Sequence, residues 1–197
     1  MTGGGMRRIV FALAMICGLS SIACAGFDEG MAAFKRGDYE TAYRALKPFA
    51  EQGNASGQSA LGLMYARGMG VPQNYDEAIS WFRKAAAQGN AQGQFNLGFM
   101  YSKGMAVSQD YSKAVNLFRK AAEQGFEPAQ FSLGFLYGMG TGVQRDDVKS
   151  HMWFSLAAGQ ENEDAVILRD RIAEKMTPAD LTKSTRLLVN WLADHGQ

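Results

Sequence analysis

The chain has 197 residues, enough for one domain with a sizeable core, and its 47% apolar and 20% charged residues are ordinary for a globular protein. Its formal net charge is +1, and no basic block stands out along the sequence. Nucleic acid and anionic membrane surfaces are therefore disfavoured as partners.

The first 25 residues have the layout of a secretory signal peptide. Arg7 and Arg8 form a short basic start, and an apolar run follows over Ile9–Leu19. A small-x-small pattern of the kind that a signal peptidase accepts then ends at Ala25. We therefore predict cleavage after Ala25 and a periplasmic or secreted protein.

Two alternatives stay open for this segment. One is an uncleaved membrane anchor, although the apolar run is short for a spanning helix. The other is a lipoprotein modified at Cys24, although Ser21 stands where such signals usually have leucine. Because Cys17 and Cys24 are the only cysteines, cleavage leaves a chain without a thiol or a disulfide. Cleavage also leaves 20 − 2 = 18 basic against 19 acidic residues, a net charge of −1.

The rest of the chain repeats with a period of 36 residues. Three successive copies are Ala55–Asn90, Ala91–Phe126 and Glu127–Asn162. Four kinds of residue recur at this spacing: Leu61, Leu97 and Leu133; Gly62, Gly98 and Gly134; Tyr65, Tyr101 and Tyr137; Val71, Val107 and Val143. A fixed period in this range predicts a stacked array, because one unit cannot bury its own apolar face.

Each copy predicts two helices. In the first copy, apolar residues recur at helical spacing across Ala55–Arg67, and Gly68 is placed to end that helix in a left-handed conformation. Tyr75–Gln88 forms a second amphipathic segment, which Gly89 ends. Gly62 sits inside the first helix, where glycine costs about 1 kcal/mol relative to alanine. We expect a neighbouring helix to approach too closely there for a side chain.

These features resemble the Sel-one-like repeat (SLR) family. The Leu-Gly-x-x-Tyr pattern also occurs in tetratricopeptide repeats, but their period is 34. The period of 36, the turn Gly68-Met69-Gly70-Val71 and the ending Ala85-Ala86-x-x-Gly89 are closer to SLR units. The resemblance implies an all-α fold, a right-handed α-solenoid of antiparallel helix pairs like the tetratricopeptide superhelix.

The resemblance weakens at the start of the array. A partial unit over residues 27–54 contains Gly37-Asp38-Tyr39, which is typical of the start of a second helix. Pro48 is expected to interrupt that helix, because proline removes a backbone donor and clashes with the preceding turn. The predicted repeat array therefore spans residues 26–162, with its first unit incomplete.

The end of the array is predicted to be capped. Glu161 replaces the glycine that ends the first two copies, so we expect a different link after the third. Glu163–Lys175 and Pro178–His195 then predict two further helices within residues 163–197. A stacked array needs such a cap to shield its last apolar face.

No constellation of residues indicates catalysis. His151 and His195 lie far apart without an evident acid–base partner, so we predict structural or solvated roles for both. Nucleophile-elbow, phosphate-loop and zinc motifs are missing from the sequence. We expect no enzyme activity, no cofactor and no metal site. Cysteine-rich SLR proteins imply an alternative, a cell-wall or β-lactam ligand binder or hydrolase, but their disulfides have no counterpart here.

An apolar row on the first helices is the candidate binding surface. By analogy with tetratricopeptide arrays, these helices line the concave side of the stack, where the outward positions include Leu63, Phe95, Phe99, Phe131 and Phe135, with Met139 nearby. Such a row can hold the apolar side chains of a peptide. The alternative is that the rings pack between helices as core. Arg67, Lys103 and Gln92 are candidates for a polar rim.

The resemblance implies a non-catalytic adaptor that binds another protein or peptide. Related SLR proteins act in envelope assembly, in the regulation of sensor kinases for exopolysaccharide control and in host interaction. We expect a monomer without stable membrane insertion once the signal is cleaved. A third possibility is a structural module that self-associates through Trp191 and Leu192 of the cap.

Overall fold

The computed structural model describes residues 26–196, and this part of the chain folds as ten α-helices without a strand. The first helix, α1, covers residues 26–36. The others are α2 Tyr39–Glu51, α3 Ala55–Arg67, α4 Tyr75–Ala87, α5 Ala91–Lys103, α6 Tyr111–Ala122, α7 Glu127–Met139, α8 Asp147–Ala158, α9 Glu163–Ala173 and α10 Pro178–His195. The predicted signal peptide, with both cysteines, lies outside the described residues.

The helices stack in sequence as pairs. Within the three copies, α3 packs against α4, α5 against α6 and α7 against α8, while α4–α5 and α6–α7 contacts join one copy to the next. Buried side chains form a series of clusters along the stack, with Leu61, Leu97 and Leu133 in three different ones. This arrangement confirms the predicted all-α solenoid.

Capping residues set where the first helices begin and end. Asn54 and Asn90 accept hydrogen bonds from the amides of Gly57 and Gly93, which satisfies donors that have no partner within α3 and α5. The helices α3, α5 and α7 end at Gly68, Gly104 and Gly140, each left-handed with φ of 67–69°. The prediction of a left-handed glycine stop is therefore confirmed.

The glycine inside each first helix makes room for a ring from its partner helix. A Cβ placed on Gly62 would lie 2.5 Å from the ring of Phe82, and one on Gly98 would lie 2.8 Å from the ring of Phe118. Gly134 faces Phe154 in the same way, at 2.7 Å. The predicted close approach is confirmed, and it occurs between the two helices of one unit.

Two sequence expectations about the ends of the array are wrong. The helix α2 continues through Pro48 to Glu51, because Pro48 is exposed and the carbonyl that loses its donor can face water. The link after the third copy keeps its geometry, because Glu161 adopts φ +68°, close to the +82° and +80° of Gly89 and Gly125.

A ladder of glutamine side chains also ties the helices together, both within and between units. The side-chain oxygens of Gln58, Gln94 and Gln130 each accept a hydrogen bond of 2.8 Å from the glutamine 30 residues later, namely Gln88, Gln124 and Gln160. The amides of Gln58 and Gln130 donate to carbonyls of the preceding unit. Buried polar groups are costly unless they are bonded in this way. The ladder therefore holds together the two helices of each unit and, through Gln58 and Gln130, neighbouring units.

Candidate protein-binding groove

The six residues predicted for the binding surface lie along one continuous groove. Leu63, Phe95 and Phe99 line a pocket of about 660 Å³. Phe99 also lines the next pocket, of about 420 Å³, together with Phe131, Phe135 and Met139. Phe135 and Met139 continue into a third pocket of about 260 Å³ beside α9. Because neighbouring pockets share residues, we treat the three as one surface, the groove.

The groove residues fall into an exposed set and a half-buried set. Phe99, Phe135 and Met139 expose 41%, 50% and 65% of their surface. Phe95 packs against the ring of Phe118, with centroids 5.4 Å apart. Both sequence alternatives are thus represented: three side chains face solvent, whereas Phe95 and Phe131 belong largely to the core.

The repeat itself explains this division. Phe95 and Phe131 occupy one repeat position, and Phe99 and Phe135 occupy the position one helical turn later on the same face. The ring of Phe131 packs edge-on against Phe154, with centroids 5.6 Å apart. The inner ring of each helix is therefore covered by the partner helix of its unit, and the outer ring stays open.

Cations follow the apolar row along its edge. Arg67 lines the first pocket, Lys103 the second and Lys175 the third, whereas Gln92 lines none of them. Lys175 was not predicted for this surface, although it occupies the same position of the 36-residue period as Arg67 and Lys103. The 36-residue spacing that would have identified Lys175 extends into the cap. It was not recognised there because the cap lacks the Leu-Gly-x-x-Tyr residues of the repeat.

A pair of polar residues recurs beside the pockets in each of the three copies. Gln73 donates to the hydroxyl of Tyr75 at 3.1 Å in the first copy, and Gln109 repeats this contact with Tyr111 in the second. In the third copy the same two positions hold Arg145 and Asp147, which form two hydrogen bonds of 3.0 Å. The Tyr-to-Asp replacement thus comes with a matching change of its partner.

Outside the groove, the structure gives His151 a partner that the sequence did not show. Its Nδ1 lies 2.9 Å from the hydroxyl of Ser184, which joins α8 to α10. Burial lowers the pKa of His151 below 6.5, and the nearby Arg169 lowers it further. The pair is a partly buried contact between helices, and Ser184, which is only 1% exposed, does not present a reachable nucleophile.

The cap tryptophan lies in the core as well. Trp191 is 9% exposed and packs against Trp153, with ring centroids 6.4 Å apart. Its other side stacks on His195 at 4.1 Å. Self-association through Trp191 therefore finds no support, because a buried ring cannot face a second copy. That the protein is a monomer stays a prediction.

Two classes of site are not found in the described part of the chain. Within residues 26–196, no group of three or more His, Cys, Asp or Glu side chains is placed to hold a metal ion. In the same range, no helix combines the length and apolarity needed to cross a lipid bilayer.

The stacked helix pairs and the groove along their first helices define a helical-repeat protein. The family model for the Sel1 repeat matches residues 55–90, 91–126 and 127–162, more than half of the chain. The chain belongs to the Sel1 repeat family. Proteins of this family generally bind other proteins and are generally non-catalytic, so the fold suggests a scaffold for protein–protein interaction.

Solved structures of the same fold support this assignment. A Sel1 repeat protein from Oxalobacter formigenes is 36% identical, with a TM-score of 0.68, over 71% of this chain and 56% of that one. The protective antigen c5321 of uropathogenic Escherichia coli strains, described as displaying an SLR fold, is 30% identical, with a TM-score of 0.60, over 88% of this chain and 46% of that one. The chain thus spans about half the length of both proteins. Among curated proteins, none matches the chain.

Proposed function

We propose that the protein is a non-catalytic scaffold that binds a segment of another protein in the groove. The observation that carries this proposal is the exposure of Phe99, Phe135 and Met139 in one continuous apolar groove. Complete burial of a large apolar side chain contributes about 1.5–3 kcal/mol, so covering these three half-exposed side chains offers about 2–4 kcal/mol. Exposed apolar patches of this kind typically mark interaction sites.

The chemistry of the groove supports a scaffold over a cell-wall or β-lactam ligand enzyme. Such an enzyme needs ionisable groups that converge on one point. The one carboxylate among the groove-lining residues is Asp147, and its oxygens are held by Arg145. The rest of the lining is mainly aromatic and aliphatic, which suits apolar side chains of a peptide.

We propose further that the protein acts in the periplasm or outside the cell. The signal-peptide layout of residues 1–25 supports export. Envelope assembly, exopolysaccharide regulation and host interaction are the settings in which we propose to look for the partner.

The groove is tested by cross-linking capture from an envelope extract with the double variant Phe99→Ser/Phe135→Ser. Both side chains are exposed, so the variant should keep its fold, whereas changes at Phe95 or Phe131 would disturb the core. We expect a defined protein to be captured by the wild type and to be lost from the variant. A thermal transition within a few degrees of the wild type would show that loss of capture is not loss of fold.

A matched control is the double variant Ile167→Ser/Val189→Ser. These side chains are 55% and 56% exposed and line none of the three pockets. The control removes as much exposed apolar surface and should retain capture. Equal loss of capture in both variants, or equal retention, would contradict binding in the groove.

Export is tested by the mass and location of the processed chain. Cleavage after Ala25 should yield a protein that begins at Gly26 in the periplasmic or culture fraction. A chain that starts at Cys24 with added lipid mass would establish the lipoprotein alternative, and a full-length chain in the membrane fraction would establish the anchor.

Light scattering of the processed protein tests the expected monomer.

A further inference from the structure

One position of the repeat places cations along the groove in two of the three full units and again in the cap. The residues at this position are Arg67, Lys103, Met139 and Lys175, and each of them lines a pocket of the groove. Arg67, Lys103 and Lys175 are exposed, and among the described residues none of them forms an ion pair. The side chain of Lys103 lies over the ring of Phe99, 5.7 Å from its centroid.

The groove is positive on a chain that is slightly negative. Its lining contains Arg67, Lys103, Arg145 and Lys175 against the single acid Asp147, which gives 4 − 1 = +3. Residues 26–197 together contain 18 basic and 19 acidic residues, which gives −1. Positive charge is therefore concentrated at the groove, and the pairing of Asp147 with Arg145 leaves three unpaired cations there.

Helix-dipole stabilisation does not account for all of these cations. A basic residue in the last turn of a helix complements the dipole, which explains Arg67 and Lys103 in part. Lys175 lies beyond the end of α9 at Ala173, so it gains little from that effect. What the three side chains share is their place along the groove.

The cations form a second row parallel to the apolar one. Arg67 follows Leu63, and Lys103 follows Phe99, by four residues, which is about one helical turn or 5.4 Å along the axis. In the third unit Met139 takes the cation position, so the basic row is interrupted and the apolar surface is widened there.

We infer that the segment bound in the groove is an acidic peptide of the partner protein. Its apolar side chains occupy the pockets, and its Asp or Glu side chains lie along one edge, facing Arg67, Lys103 and Lys175. At Met139 the peptide carries an apolar residue in place of an acid. This inference rests on the proposed binding function and specifies the chemistry of the partner.

The expected contribution of the charges is moderate and sensitive to salt. Exposed ion pairs are individually weak, but complementary potentials raise association rates and discriminate against wrong partners. The Debye length is about 8 Å at physiological ionic strength, so added salt screens contacts at an open groove. We expect removal of all three cations to lower the affinity for an acidic peptide by about tenfold.

The test uses peptides selected from a random 12-residue display library on the purified protein. Peptides that lose binding to Phe99→Ser/Phe135→Ser are synthesised, and their affinity is measured by fluorescence polarisation. The charge variant is Arg67→Gln/Lys103→Gln/Lys175→Gln. Its matched control is Lys35→Gln/Arg171→Gln/Arg186→Gln, which changes three exposed cations outside the pockets and lowers the net charge equally.

The expected result is enrichment of Asp and Glu next to apolar residues, with affinity lowered about tenfold by the charge variant and unchanged by the control. Replacing the peptide acids by Asn or Gln should abolish this difference. Groove-dependent peptides without acid enrichment, or equal weakening by both triple variants, would overturn the inference and leave the proposed function intact. A selection that yields no groove-dependent peptide would instead overturn the proposed function, and the inference with it.

Discussion

The repeat units and the cap share a spacing but are held together differently. In the units, a glycine of the first helix lets the second helix approach, and the two pack as a pair. The cap has Asp170 at the position of Gly62, Gly98 and Gly134, and there α10 packs against α8 rather than pairing closely with α9. From this difference we expect the glycine to permit the close pairing of the two helices of a unit.

The largest effect is expected from removing the ring that anchors the cap. Trp191→Ala deletes a side chain packed against Trp153, and such a truncation costs about 3–5 kcal/mol. Because α10 depends on α8, hydrogen exchange should show loss of protection in α10 and retention in α3–α6. Val189→Ala, at a position 56% exposed on the same helix, is the control and should cost less than about 0.5 kcal/mol. Uniform loss of protection along the array would contradict this separation of cap and units.

A smaller effect should distinguish the glycine position in the two regions. Gly98→Ala places a Cβ 2.8 Å from the ring of Phe118, and such overpacking costs about 1–3 kcal/mol. Asp170→Ala at the equivalent cap position should change the free energy of unfolding by less than about 1 kcal/mol, because it removes only an exposed contact with Arg169. Urea denaturation measures both. Equal costs would show that close helix approach does not depend on this residue.

Rescue provides a second check on the same position. Phe118→Leu creates room opposite residue 98, so it should cost less in the Gly98→Ala background than in the wild type. A double-mutant cycle measures this coupling directly. Additive costs would indicate that the alanine is accommodated without contact with the ring.

Glu161→Gly should stabilise the link between the third unit and the cap. Glu161 has φ +68°, a conformation that costs a non-glycine residue about 1–2 kcal/mol. Glycine loses part of this gain through the greater freedom of the unfolded chain, so we expect a net increase of about 0.5–1 kcal/mol in the free energy of unfolding. The reverse change, Gly125→Glu in the preceding link, should destabilise by a similar amount. The same sign for both changes would refute the idea that backbone conformation governs the link.

The smallest expected effect is a pH dependence of the contact between α8 and α10. Burial lowers the pKa of His151 below the 6.5 of an unfolded chain, so the unfolded state binds more protons as the pH falls through 6.5. The free energy of unfolding should therefore decrease on acidification from pH 6.5 to the folded pKa and should be constant above 6.5. Arg169 favours this decrease, whereas Asp170 opposes it. His151→Gln should flatten the dependence of the free energy of unfolding on pH. An unchanged slope in this variant would show that other groups cause the pH dependence.

Most of the fold could be predicted because the period of the sequence is the period of the structure. The left-handed stops at Gly68 and Gly104 and the tight approach at Gly62 follow from residue type at fixed positions. The glutamine ladder was overlooked although it recurs every 36 residues, because sequence periodicity does not indicate which buried polar groups bond to each other. The outcomes at Pro48 and Glu161 differ from expectation because the exposed Pro48 leaves its freed carbonyl open to water and because Glu161 adopts the left-handed conformation of the glycines that it replaces.

The candidate site was less predictable than the fold. The sequence placed the apolar row on one helix face, but the difference between Phe95 and Phe99 depends on which ring the second helix covers. His151 and Ser184 are 33 residues apart and meet only through the packing of the cap. Lys175 lies along the same groove as Lys103 because the cap keeps the 36-residue spacing. The cap lacks the residues that identify a repeat, so this spacing was not evident from the sequence.

The hydrogen bonds of the glutamine ladder are compatible with insertion or deletion of whole repeat units. Every bond in it joins residues 8 or 30 positions apart, so inserting or deleting a whole unit of 36 residues leaves each partner at its proper distance. Duplicating Ala91–Phe126 should lengthen the array by one unit without an orphaned amide. Growth by whole units provides a simple evolutionary route between a chain of this size and longer proteins of the same fold.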